Sequence, residues 1–208
     1  MKTIIFLTSL SITSNFFGQA AGSGMTDIDG NLYNSVIIGT QEWVKENLNV
    51  SRYNDGTIIP QVTDPTAWGN LTTGAWCYYN NDAANGLIYG KLYNYYAVEG
   101  IHDNDPNTPN KFLAPTGWHI PTDVEWTTLT TFVGGPTVSN IGVISSVGGQ
   151  FKSTGTLLWQ NPNISATNST GFTGLPGGMR GPNGFSFYNI NLHGFWWSST
   201  AINSYEVW

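Results

Sequence analysis

The chain has 208 residues and a formal net charge of −6, with only seven Lys and Arg residues against thirteen Asp and Glu. The scattered basic residues form no patch or stripe, which excludes an electrostatic footprint for nucleic acid or anionic lipid. Charged residues make up 10% of the chain, against about 25% in an average domain, so Asn, Thr, Ser and Gly must supply the polar surface.

Residues 1–20 read as a signal peptide. Lys2 gives a basic start, residues 4–17 are mostly apolar, and Gly18-Gln19-Ala20 offers small residues for cleavage after Ala20. The run is too short and too interrupted to span a bilayer. The expected mature product is a single extracytoplasmic domain, residues 21–208, secreted or held at the cell surface. It carries one cysteine, Cys77, in the apolar run Trp76-Cys77-Tyr78-Tyr79. No intrachain disulfide can form, and a buried structural thiol is the expectation there.

After a flexible lead-in at residues 21–24, residues 25–38 read as a β-hairpin around Asp29-Gly30. The cluster Asp27, Asp29 and Asn31 also looks like the opening of a calcium loop. An EF-hand loop needs a glutamate at its twelfth position, where Ile38 stands, so the turn reading is preferred. Residues 41–50 fit a helix or a strand. Residues 57–62 are extended up to Asp64-Pro65, and 75–79 are strand-like. Asn80-Asn81-Asp82 and Asn85-Gly86 read as a polar loop, and residues 90–98 as a short helix. Residues 100–110, with His102, Asp103, Asp105 and two prolines, read as a surface loop.

The clearest element is the helix predicted over residues 121–134. Thr122 and Glu125 have capping-box spacing, and Asp123 in the first turn suits the helix dipole. Trp126, Leu129 and Val133 define one buried stripe, and Gly134-Gly135-Pro136 ends the helix. Beyond it, short runs punctuated by Gly, Pro and Asn predict strands and loops. Phe195-Trp196-Trp197 reads as a buried strand. Helices in the middle and short strands after them argue for an α+β fold.

The motifs occur in a specific order. Asp27-Ile28-Asp29-Gly30-Asn31-Leu32-Tyr33 and Ile38-Gly39-Thr40-Gln41-Glu42-Trp43 are followed by Glu46-Asn47-Leu48 and Tyr53-Asn54-Asp55-Gly56. Tyr89-Gly90-Lys91-Leu92-Tyr93-Asn94 and Pro115-Thr116-Gly117-Trp118-His119-Ile120-Pro121-Thr122 come next. Leu175-Pro176-Gly177-Gly178-Met179-Arg180 and Phe195-Trp196-Trp197-Ser198-Ser199-Thr200 close the set. This arrangement resembles the Fibrobacter succinogenes major paralogous domain over nearly all of the mature chain. The resemblance implies an exported bacterial protein. The Pro-Thr-x-x-Glu-Trp helix is also similar to that of formylglycine-generating enzymes and C-type-lectin-like domains, which implies a C-type-lectin-like α+β fold with short twisted antiparallel sheets. The resemblance further implies two or three strands beyond the Trp-Trp-Ser-Ser segment. The expectation is therefore a sheet left open at residues 195–197, which would favour self-association.

No catalytic set is expected. Formylglycine-generating enzymes use two cysteines, and this chain has one. His193 near Ser198 and Ser199 is a chance neighbourhood. Trp118 is expected to be structural, and His119 beside it to be a hydrogen-bonded structural histidine. Asp103 and Asp105 are the calcium candidates, and a solvated loop is the preferred reading there, so no cofactor is expected. The function that remains is a non-catalytic binding or adhesion module for glycan or surface protein, with a structural assembly subunit as the alternative. Aromatic and polar groups at Tyr78, Tyr79, Asn81, Asp82, Trp196 and Trp197 are the candidate binding residues.

Overall fold

A computed structural model describes residues 20–135, 147–203 and 206–207. The predicted signal peptide lies outside the described residues apart from Ala20, and so does Pro136 of the helix terminator. The chain is α+β, with few and short helices between small antiparallel sheets.

The predicted N-terminal hairpin is present but shorter than residues 25–38. Strands β2 (Met25–Thr26) and β3 (Leu32–Tyr33) pair around the Asp27–Gly30 turn. The apolar run then leaves that hairpin. Strand β4 (Ser35–Ile38) pairs instead with β5 (Gln41–Val44), which resolves the ambiguous segment as a strand. Trp43 decides it. The register sets Trp43 opposite Val36, and both side chains enter one core with Ile38, Leu129 and Phe172. The lead-in is not free either. Strand β1 (Ala20–Ala21) pairs with Ile37 and Val36 on the other side of β4, giving the sheet order β1-β4-β5.

Three side chains start three short helices. Asp64 caps α1 (Pro65–Gly69), Asp82 caps α2 (Ala83–Tyr89) and Asn94 caps α3 (Tyr95–Glu99), each by accepting a first-turn backbone N–H. Helix α2 replaces the polar loop expected at Asn85-Gly86. Gly86 sits under the Tyr78 ring, where any Cβ would collide with it, so the glycine serves close packing and not a turn. The helix expected over residues 90–98 is split. Residues Leu92–Tyr93 form strand β7 against β6 (Trp76–Cys77), and only Tyr95–Glu99 is helical. Gly100 ends α3 in the left-handed conformation (φ 78°), with the Lys111 backbone too close to admit a side chain.

Helix α4 (Asp123–Phe132) has the full capping box. The Thr122 hydroxyl accepts from the Glu125 N–H, and the Glu125 carboxylate accepts from the Thr122 N–H. Leu129 on the expected stripe is 2% exposed. Trp126 is only partly buried, with its ring 4.7 Å from that of Trp43 and 6.1 Å from that of Phe172. Strands β8 (Gly177–Arg180) and β9 (Phe187–Ile190) pair further on, and β10 (Ala201–Asn203) pairs with β11 (Glu206–Val207).

One expectation is overturned. Residues 195–197 form no strand, and Phe195 and Trp196 are 50% and 38% exposed. Side-chain anchors hold the segment in place of a ladder. The Trp197 indole donates to the Tyr93 carbonyl, and the Trp196 indole donates to Asn47 Oδ1. The open sheet edge expected there has no strand to carry it.

Among the described residues the core divides into three clusters. The largest holds Val50, Tyr53, Ile59, Trp76, Tyr93 and Leu113. The second holds the β4 and β5 side chains beneath α4. The third packs Trp68, Ala75 and Cys77 together, so the lone thiol is buried and its pKa is raised by that burial.

Candidate functional site

An open cleft of about 550 Å³ lies between the first two clusters. Tyr93, Val98 and Leu113 of the first cluster line it, as do Trp43, Trp126 and Phe172 of the second. Trp118, Phe195 and Trp196 add aromatic surface at its rim, and Trp196 stands edge-on to Phe172 at 5.6 Å. Polar groups frame it: Glu42, Lys45, Glu46, Asn47, His119 and Glu125.

Most of these polar groups already have partners. Glu42 Oε1 accepts from the Ser35 hydroxyl and then from the Ser23 hydroxyl and backbone N–H, which together hold its carboxyl below the usual range. Glu46 receives the Asn34 backbone N–H and side-chain amide, both at 2.8 Å. The Asn47 amide donates to the Tyr89 carbonyl while its oxygen holds Trp196. Lys91 donates to the Asn49 carbonyl and lies 4.4 Å over the Trp76 ring, and burial lowers its pKa. The cleft is therefore prearranged by its own hydrogen bonds, and its aromatic faces are the groups left for a ligand.

The predicted residues divide. Trp196 and Trp197 reach the cleft, but Tyr78, Tyr79, Asn81 and Asp82 do not line it. Tyr78 packs 5.1 Å from Trp76, and Tyr79 is 6% exposed against Phe187. Asn81 donates to the Thr63 carbonyl, and Asp82 caps α2. Those four residues build the scaffold, because a run of polar and aromatic residues in a chain does not reveal which surface it faces. Trp118, expected to be structural, lines the cleft. His119 is exposed, and its Nε2 lies 2.7 Å from Glu125 Oε1. Sequence reasoning missed the roles of Asn47 and Phe172 at the cleft, although Glu46-Asn47-Leu48 was among the motifs.

The other candidates have local duties. Asp103 accepts from the Asp105 N–H and lies 3.2 Å from His102, and Asp105 accepts twice from Asn107. The Ser198 hydroxyl accepts from the Thr200 N–H, and the Ser199 hydroxyl donates to the Ile120 carbonyl. Among the described residues no hydrogen bond joins His193 to either serine. Among the described residues no group of three His, Cys, Asp or Glu side chains is placed to hold a metal ion. No helix among them is long and apolar enough to cross a membrane.

Glu125 carries a pH signature. Burial acts to raise its pKa, but hydrogen bonds from Thr122 and His119 outweigh burial and hold it below the ordinary 4.5. A depressed carboxylate contributes stability that is complete above the unfolded value and is lost as the pH falls through the folded one. Thr122→Ala and Glu125→Gln are each expected to cost on the order of 1 kcal/mol at pH 7. The deficit of Glu125→Gln should shrink below about pH 4. Denaturant melts at pH 7 and pH 3 check this, and an equal deficit at both values would contradict it.

An α+β domain with an aromatic cleft framed by hydrogen-bonded polar side chains is the class of protein these features define. Residues 36–208 match the profile of the Fibrobacter succinogenes major domain, and the chain belongs to that family. Neither the comparison with curated proteins nor that with solved structures returned a match.

Proposed function

We propose that this chain is an exported, non-catalytic binding module of C-type-lectin-like architecture, whose aromatic cleft takes a glycan or protein ligand outside the cytoplasm. One observation carries the reading. Aromatic side chains from two core clusters converge on an open cleft of about 550 Å³, and Trp196 at its rim is held in place by Asn47 while 38% exposed. Rigid, partly exposed aromatic surface is the usual anchor of a recognition site. The cleft's acidic groups point away from catalysis: Glu125 is engaged by Thr122 and His119, and Glu42 and Glu46 by side chains and backbone of their own sheet region. The order of residues 1–20 supports export.

The test is a combined glycan and peptide array probed with the purified protein, with calcium and with a chelator. A ligand should be captured under both conditions, because the cleft needs no ion in this reading. Trp196→Ala should weaken capture at least tenfold when read well below the variant's own thermal transition. Absence of any ligand, or Trp196→Ala binding like the parent, would sink the proposal. N-terminal sequencing of the protein from a Gram-negative host should find Ala21 first, and retention of Met1 on cytoplasmic protein would refute export.

A further inference from the structure

We infer that the Lys91 side chain forms an isopeptide bond with the side-chain amide of Asn31, which ties the N-terminal hairpin covalently to the start of β7. The reacting groups meet on one acceptor. The Asn49 carbonyl accepts from Lys91 Nζ and, at 3.4 Å, from Asn31 Nδ2. Two donors on one oxygen are neighbours. The Asp27 carboxylate completes the set, because its Oδ2 accepts from Asn31 Nδ2 at 2.8 Å. These are the three groups that a self-catalysed amide exchange needs: an amine nucleophile, an acyl donor with a leaving nitrogen, and a proton relay on that nitrogen.

The surroundings favour the reaction. Lys91 and Asp27 are 9% and 6% exposed, and Lys91 Nζ lies over the Trp76 ring. Burial outweighs the attraction of Asp29 and Asp27 and lowers the lysine pKa, which favours the neutral amine that attacks. Hydrogen bonds hold the parts in register. The Lys91 N–H donates to the Leu48 carbonyl, and the Asn49 N–H donates to the Tyr33 hydroxyl, which in turn donates to Asp27 Oδ2. Groups fixed in this way react as if at very high concentration. Asn49 also lies beside the lysine, and its side-chain oxygen is buried with no donor among the described residues. Asp27 selects Asn31 over it, since among the described residues no carboxylate bonds to the Asn49 amide.

The atoms balance with no co-reactant. The Lys91 ammonium passes a proton to the Asp27 carboxylate, and the neutral Nζ attacks Asn31 Cγ. Asp27 hands that proton to Asn31 Nδ2 and takes one from Nζ as the Cγ–Nδ2 bond breaks. Ammonia leaves and carries off the remaining proton as ammonium, which returns Asp27 to carboxylate. The new amide keeps one N–H, which can still donate to the Asn49 carbonyl. The bond joins residues 31 and 91 in a chain whose single cysteine allows no intrachain disulfide. Closing so long a loop stabilises a fold by restricting its unfolded chain.

The experiment is the intact mass of the purified full chain under denaturing conditions, followed by a tryptic map. The mass should fall one ammonia below that of its sequence, counted from its own N-terminus. Trypsin should fail to cut after Lys91, leaving residues 53–111 joined to the peptide that ends at Lys45, and fragmentation should place the join at Asn31. Lys91→Arg should have its full sequence mass and be cut after residue 91. Asp27→Asn keeps an oxygen for the hairpin turn but cannot relay the proton, so it should fold and retain its ammonia. A parent of full sequence mass, or one that lacks an ammonia yet is cut after Lys91, would overturn the bond. A map that joins Lys91 to the peptide 46–52 would overturn Asn31 as the acyl donor. Complete cross-linking in Asp27→Asn would overturn the relay.

Discussion

Arg180→Ala is expected to cost on the order of 4 kcal/mol, which would lower the melting temperature by roughly 8–16 °C in a domain of this size. Arg180 is 9% exposed and pairs with no carboxylate among the described residues. Its guanidinium donates to three carbonyls, those of Gly184, Val62 and Thr63, at 3.1, 2.7 and 2.9 Å. It also lies 4.3 Å from the Trp68 ring and 5.2 Å from the Phe187 ring. One planar fork thus ties β8 to a chain segment more than a hundred residues earlier. Truncation strands the Gly184 and Val62 carbonyls, while the Thr63 carbonyl keeps the Asn81 amide, and each buried acceptor without a donor costs roughly 1–3 kcal/mol, reduced where water enters the vacated space. Arg180→Lys keeps the charge but serves the carbonyls from a single point, so about half the loss should remain. Arg180→Met keeps the stacking bulk without donors and should resemble the alanine variant. A thermal transition for Arg180→Ala within about 2 °C of the parent would show that the fork is not a structural tie.

The sequence disclosed what local chemistry determines. Helix α4 was legible because its start signal, Thr122 with Glu125, acts within one turn, and the box forms as read. The β2–β3 turn was legible for the same reason, since Asp27 and Gly30 close it with short-range bonds. Elements decided by distant neighbours were not legible. Asn85-Gly86 signals a turn, yet the Tyr78 ring above Gly86 and the Asp82 cap make it helical. Three aromatic residues at 195–197 signal a strand, yet indole donors to Asn47 and to the Tyr93 carbonyl hold the segment as an irregular rim.

The same distinction runs through the cleft. Trp196 and Trp197 were identifiable as aromatic candidates, but the sequence could not separate them from Tyr78 and Tyr79, which have equally rich surroundings and face the core. What makes a face available is the position of other elements, here β5 on one side and α4 on the other. Arg180 shows the limit most clearly. In the chain it is one scattered cation, and its role exists only because residues 62 and 63 fold against it.

Asp27→Ala should also cost on the order of 3 kcal/mol, because it removes the acceptor at the centre of the N-terminal hairpin. Asp27 is 6% exposed. Its Oδ1 accepts from the N–H groups of Asp29 and Asn31, and its Oδ2 from the Asn31 amide and the Tyr33 hydroxyl. The effect extends beyond the turn. The Tyr33 oxygen accepts from the Asn49 N–H at 2.9 Å, so the carboxylate orients the group that docks the hairpin onto the segment leading to Val50. Burial, followed by the hydrogen bond to Asp27, holds the Tyr33 phenol well above the ordinary tyrosine range, so it stays a donor at every working pH. Asp27→Asn keeps one oxygen for the two backbone donors but sets an NH₂ group against the Asn31 amide and the Tyr33 hydroxyl. About half the loss is expected from it. A double-mutant cycle with Tyr33→Phe separates the turn from the dock. If the two groups act as one network, the double variant should be more stable than the sum of single losses predicts, by about 1 kcal/mol. Additive losses in denaturant melts would show that Asp27 closes the turn alone and that Tyr33 holds Asn49 without it.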